Sequence, residues 1–170
     1  ERGAFVGVRV VEAVAEDVGS VGERVGAPEM IGGVRSESGQ RILVYTFATG
    51  TLRTLIPLLP GEPRHTVIDS TGKYLYLSLN KGGGVVKIDI ARRRVVDRVS
   101  TGRNPRTIVL APDGRSLYVV NYESQTVVKV RTRDMVVLQR LVTRGVHPVG
   151  IDYDAKTGTV WVACYRGTIE

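Results

Sequence analysis

Three features of this 170-residue sequence predict an all-β fold of four-stranded antiparallel sheets arranged as blades of a β-propeller. Pro63, Pro105 and Pro148 recur at intervals of 42 and 43 residues. Each opens a short apolar run, then a turn holding Gly72, Gly114 or Gly158, then a second run carrying Tyr76, Tyr118 or Trp161 thirteen residues past its proline. Two further β-rich runs complete the first two repeats, and four strands in just over forty residues is the spacing of a propeller blade.

The clearest unit lies at residues 105–128. Ile108, Val109 and Leu110 form one β-rich run, Pro112, Asp113, Gly114 and Arg115 a turn, and residues 117–120 a second run. Asp suits the tip because its carboxylate reaches the backbone two residues on, and Gly because it accepts the positive φ that closes a hairpin. Beyond Asn121 the chain turns through Tyr122, Glu123 and Ser124 into a third strand at 127–130 and a fourth at 136–142. The repeat before it turns at Asn80, Lys81 and Gly82, with strands at 85–88 and 95–99. Earlier still, residues 41–47 read as a third strand, 48–51 as a hairpin tip and 52–56 as a fourth strand.

Residues 41–170 are therefore expected to form a partial propeller, with repeats near 61–101, 102–144 and 145–170 preceded by the outer half of one blade. That is about three blades, whereas closed propellers hold roughly four to eight. An incomplete ring exposes sheet edges. The chain reads as a piece of a longer polypeptide supplying the remaining blades, with completion by oligomerisation as the other option.

Residues 1–40 do not follow the repeat. They carry four Arg against seven acids, whereas the rest carries 20 basic and 10 acidic side chains, so the charge changes sign near Gln40. Val10, Val14, Val18, Val21 and Val25 recur at helical spacing, but β-branched residues and Gly19, Gly22 and Gly26 oppose a helix, and residues 5–11 fit a strand equally well. This irregular opening, or a degenerate blade portion, would have to hide the missing first and second strands of the leading blade.

Tyr118, Val119, Val120 and Asn121, set between Pro112-Asp113-Gly114-Arg115-Ser116-Leu117 and Thr126-Val127-Val128-Lys129-Val130, resemble the YVTN-repeat β-propellers. The resemblance covers residues 41–170 and implies a ring typically of seven blades and an exported protein, in the periplasm, at the cell surface or secreted. Leu79 and Cys164 replace the asparagine in the flanking repeats, leaving the full motif to the middle blade. The WD40 pattern fits less well, because Trp161 is followed by Val162.

Composition is that of a globular chain, with 42% hydrophobic and 24% charged residues and no apolar run near the eighteen or so that span a bilayer. No signal peptide is visible in the segment. Cys164 is the only cysteine, which excludes intrachain disulfides and reads as a buried, inert thiol.

In a propeller the first strand of each repeat lines the central channel, and the loops entering those strands gather at one end. These loops hold both histidines and four arginines: Arg64 and His65, Arg103 and Arg106, Arg144 and His147. Guanidinium forks at a channel mouth suit a carboxylate, phosphate or other anion. The blander role for Arg64 and Arg106, at equivalent positions, is to cover the blade top or pair with acids elsewhere. The loops after the second strands share that end, and there Tyr122 and Tyr165, at matching positions, would present aromatic faces to a ligand or pack between blades. Tentative ligand-binding residues are thus Arg64, His65, Arg103, Arg106, Tyr122, His147 and Tyr165. Asn121 is expected to cap its turn through backbone hydrogen bonds.

Other chemistries find less support. Gly82, Gly83 and Gly84 join two strands rather than feeding a helix, unlike a phosphate loop. Arg92, Arg93 and Arg94, with a pI of about 9.9, read as a solvated outer turn, and the aromatic interleaving of single-strand binders is absent, so nucleic acid is not the expected partner. No HxH, HExxH or CxxCH motif occurs, so no metal or cofactor is expected. The expected function is a non-catalytic binding scaffold for an anionic small molecule, polysaccharide or protein. The alternative is a propeller enzyme: a lactonase-like hydrolase, with His65 or His147 as base and Arg64 or Arg106 holding the oxyanion, or a cofactor-holding oxidoreductase domain.

Overall fold

In the computed structural model the described residues are 23–25, 29–36, 39–46, 51–56, 61–166 and 169–170, and all of its regular structure there is β. The helix-or-strand alternative for residues 5–25 and the hairpin tip at 48–50 lie mostly or wholly outside them. Three four-stranded antiparallel sheets and one hairpin follow in chain order. They are β1 (Glu23–Val25) to β4 (Thr51–Ile56) through β2 (Glu29–Ser36) and β3 (Gly39–Thr46), then β5 (Pro63–Ile68), β6 (Tyr74–Leu79), β7 (Gly84–Asp89) and β8 (Arg94–Ser100). The third sheet is β9 (Pro105–Leu110), β10 (Ser116–Asn121), β11 (Thr126–Arg131) and β12 (Val136–Val142), and the hairpin is β13 (Pro148–Asp154) with β14 (Thr159–Cys164). In every sheet the strands lie in sequential order, so each sheet is a blade with its first strand at one edge.

The β2–β3 hairpin crosses the charge change at Gln40 in unbroken register, from Glu29 opposite Thr46 to Ser36 opposite Gly39. β5 packs beside β9, and β9 beside β13, so the first strands of successive blades are neighbours around an inner wall. The blades form an arc, and the ring does not close.

Strand alternation assigns the second and third blades two apolar faces each. In β6 and β7, Leu75, Leu77, Leu79, Val86 and Ile88 pack with Ile42 of the first blade. The intervening Tyr76 and Val85, with Val67 of β5, face the third blade and meet Ile108, Leu117, Val119, Val128 and Val130. A third seam joins Val120 to Val162 and Cys164. Because both faces are covered, the central strands read as apolar runs such as YLYLSL instead of alternating cleanly.

Turns repeat as well. Gly72, Gly114 and Gly158 hold φ of 69°, 68° and 71°, a left-handed conformation that glycine adopts without a Cβ clash. Asp113 Oδ1 accepts the Arg115 N–H at 2.9 Å, the bond its sequence position predicts. At the opposite end of the blades, the residue after each second strand donates to the carbonyl just before the repeated proline: Asn80 to Glu62, Tyr122 to Asn104 and Tyr165 to His147, at 2.7–2.9 Å.

Asn121 does not cap its own turn through the backbone. Its Oδ1 accepts the Thr101 hydroxyl at 2.9 Å and its Nδ2 donates to Thr126 Oγ1 at 3.2 Å, all three residues being buried. The amide reaches the loop entering the blade because Gly102 lets that loop come close: a Cβ there would stand 2.9 Å from Asn121 Cγ. Asn121→Ala is expected to leave both threonine hydroxyls short of a partner and to cost about 1–3 kcal/mol. A urea melt checks this, and an unchanged midpoint would mean that the network holds nothing.

Candidate functional site

The site candidate sits where β5 and β9 begin. Each of these strands starts with a proline, which cannot donate to the ladder and is tolerated at a strand start. Immediately after the proline the pairing register slips. Pro63 opposes Leu79 while His65 opposes Ser78, so Arg64 is the extra residue of a bulge. In β9, Arg106 and Thr107 fall in the interval between Pro105 opposite Asn121 and Ile108 opposite Val119. Bulges of this kind re-aim a side chain away from the sheet's alternation. Here they occur at the two arginines, from adjacent blades, and at Val149 in the hairpin.

Arg64 feels the charge of Arg106 from the neighbouring blade. Arg64 has its pKa lowered, first by burial and then by the positive charge of Arg106. Arg106 lies over the Tyr122 ring, 4.7 Å from its centroid, and its Nε is buried with no hydrogen-bond partner. On the same ring His147 stacks nearly parallel, at 4.3 Å and 10°, while its Nδ1 donates to the Tyr122 carbonyl at 3.2 Å. His147 and Asn104, the residues before Pro148 and Pro105, hold left-handed φ of 60° and 54°. Such backbone costs on the order of 1 kcal/mol at a residue with a side chain, and it places the His147 ring over the neighbouring blade.

His65 lies in the seam between the second and third blades, and its Nδ1 accepts the Ile108 N–H at 3.4 Å. That bond requires the neutral ring with its proton on Nε2, and burial lowers the pKa in the same direction. Ser78 fixes both halves of the site: its hydroxyl accepts the His65 N–H at 3.0 Å and donates to the Arg106 carbonyl at 2.6 Å. Sequence reasoning passed over Ser78. Its signal was the one small polar residue in a strand otherwise made of Tyr and Leu.

The structure thus gathers Arg64, Arg106, Tyr122 and His147 and sets His65 beside them in the adjoining seam. It does not gather the rest. Arg103 is exposed and pairs loosely with Glu123 at 3.9 Å, its backbone N–H held by Ser124. Tyr165 is 71% exposed. The two histidines occupy different seams and make separate contacts. Among the described residues no group of three His, Cys, Asp or Glu could hold a metal, and no helix is long and apolar enough to cross a membrane. Of the outer arginines, Arg92 is tied to Asp89 at 2.7 Å and Arg93 takes the left-handed position of the turn. Cys164 is buried as a free thiol.

No family model matches the chain. Hydrazine synthase subunit beta of Kuenenia stuttgartiensis is 31% identical over 96 residues, an alignment covering 42% of this chain and 25% of that protein. Solved structures of similar fold include Kuenenia stuttgartiensis hydrazine synthase, with a TM-score of 0.76 and 16% identity, covering 93% of this chain and 46% of that one. The WD40 β-propeller domain of Doa1 follows at 0.70 and 13%, covering 83% and 45%. A functionally unknown protein from Desulfotomaculum acetoxidans stands at 0.68 and 16%, covering 84% and 50%. The chain spans about half the length of these structures and a quarter of the curated relative. At such identities the structural likenesses establish the β-propeller fold alone.

The neutral ring of His65 makes stability pH-dependent. Its folded pKa lies below the ordinary value of about 6.5, so the unfolded chain binds a proton first and stability falls as pH drops through that value toward the lowered one. Denaturant midpoints measured between pH 8 and pH 5 should decline across this window. His65→Asn, which keeps an acceptor but has no proton to gain, should flatten that part of the curve, and an identical decline in the variant would contradict the assignment.

Proposed function

We propose that the chain is part of a β-propeller binding scaffold that takes an anionic ligand, or an acidic group of a protein partner, at the end where β5 and β9 begin. The observation that carries this reading is the Arg64–Arg106 pair. The exposed Arg64 feels the positive charge of Arg106 from the neighbouring blade, both stand where their strands bulge, and the Arg106 Nε is buried without a hydrogen-bond partner. Like charges so placed repel weakly across solvent, and an anion between the guanidinium groups would turn that repulsion into attraction. The remaining elements are rigid sheet and tight turns, a frame that presents loops at a fixed spacing. An extracytoplasmic setting accompanies the proposal, on the strength of the YVTN resemblance in the middle blade.

A second reading is favoured by the curated relative. Hydrazine synthase subunit beta is named as one subunit of an enzyme, and a propeller domain within an enzyme assembly would use the same end to meet its partner. The two readings separate on whether the chain binds a free anion in isolation.

Thermal-shift titration with citrate tests the scaffold reading. Wild type should gain stability with citrate, whereas Arg64→Gln with Arg106→Gln should gain none. Without citrate at low salt, Arg64→Gln alone should melt no lower than wild type, because it removes repulsion rather than an attraction. Equal citrate stabilisation of wild type and double variant would eliminate the site.

A further inference from the structure

We infer that the group bound between the two blades is a carboxylate, recognised by the planar fork of Arg106, with Tyr122 and His147 as positioning residues that hold that fork in place. The inference rests on the scaffold reading above and adds the ligand's chemistry and the means of its selection.

Phosphate and carboxylate both satisfy arginine, but they differ in what else they need. Phosphate sites commonly draw on a run of free backbone N–H groups, at a helix N-terminus or in a nest of turn amides. Here several backbone amides around the cluster are already spent. The His65 N–H goes to Ser78 Oγ, Ile108 N–H to His65 Nδ1, Arg103 N–H to Ser124 Oγ, and Tyr122 N–H to the Asn104 carbonyl. No helix occurs among the described residues. Side-chain guanidinium is the charged donor that the cluster offers a ligand, and the planar two-oxygen edge of a carboxylate matches that fork with two parallel hydrogen bonds.

Three buried side-chain atoms among the described residues have no hydrogen-bond partner, Thr66 Oγ1, Asn104 Oδ1 and Arg106 Nε, and the charged donor among them is Nε of Arg106. An Nε–H used together with one Nη–H forms such a two-donor edge. For it to serve, the guanidinium plane must be fixed, and the Tyr122 ring beneath it does this while His147, arriving from the next blade, fixes the ring. Arg64 adds charge from the second blade. A carboxylate can come from a small free acid or from an acidic side chain of a protein, and the chemistry recognised is the same.

The test is calorimetric titration of the full 170-residue chain with succinate, with phosphate and with a short Glu-containing peptide. Wild type should bind succinate or the peptide about tenfold or more tightly than phosphate, as expected where a fork is matched. Tighter binding of succinate than peptide indicates a free acid as the source, and the reverse indicates a protein side chain. Arg106→Lys, which keeps the charge and loses the fork, should erase the preference. Tyr122→Leu should do likewise, while Tyr122→Phe, which keeps the ring, should restore it. Arg92→Gln on the outer turn should leave it unchanged. Circular dichroism confirms that each variant is folded, and the Phe variant guards against loss by misfolding. Phosphate bound as tightly as succinate, with Arg64 and Arg106 both required, would overturn the carboxylate assignment and leave the scaffold reading standing. Retention of the preference in Arg106→Lys would overturn the fork assignment, and retention in Tyr122→Leu would overturn the positioning role of the ring. Absence of binding by all three probes would remove both.

Discussion

The second and third blades are apolar on two faces, and so neither is stable as a single layer. The sheets bury those faces only by standing side by side around an axis, and the three seams follow from that requirement. Tyr76 and Val85 face one way while Leu75, Leu77 and Val86 face the other. A register slip of one residue would exchange the two sets and mismatch both neighbours at once. The seam between the second and third blades also holds polar contacts. Lys87 is buried there, with its ammonium 2.8 Å from the Thr132 carbonyl and 4.2 Å from the Tyr74 ring centroid. Beside it, burial raises the Tyr76 phenol to about 12.

The candidate site is a by-product of the same stacking. Packing β5 against β9 sets the residue after Pro63 near the residue after Pro105, and in this chain both are arginine. The Ser78 hydroxyl links their strands across the seam, and the Asn121 amide secures the loop that enters β9. Function, on this view, is placed by blade geometry and chosen by the side chains at one repeat position. The hairpin makes the point by contrast, since the equivalent residue there is Val149 and the bulge persists without the charge.

Much of the architecture was legible because it is repetitive. Spacing of the prolines, the glycine turns and the apolar runs located β3, β4, β7, β8, β10, β11 and β12 to within about two residues, marked β5, β6, β13 and β14 without bounds, and began β9 three residues late, at Ile108. Strands β1 and β2 were not legible, since residues 23–36 share neither the proline nor the turn signature of the later repeats and their glycines obscure the alternation. The site was legible only in part. Equivalence of Arg64 and Arg106 could be read from the period, but their convergence could not, because it depends on bulges that slip the register by one residue. The Tyr122–His147 stack escaped for a related reason: it joins positions in different blades, and the left-handed backbone at His147 that creates it has no sequence marker. Asn121 reads in sequence as a backbone cap of its own turn, whereas its amide spans that turn to the Thr126 hydroxyl and, because Gly102 lets the preceding loop come close, also holds Thr101.

The central claim is that packing β5 against β9 brings the charge of Arg106 to bear on Arg64 across two blades. A double-mutant cycle on thermal stability with Arg64→Gln and Arg106→Gln, run at low and at high salt without added ligand, measures it directly. Coupling between the two substitutions at low salt that fades at high salt is the predicted result. Strict additivity at both salt concentrations would contradict it.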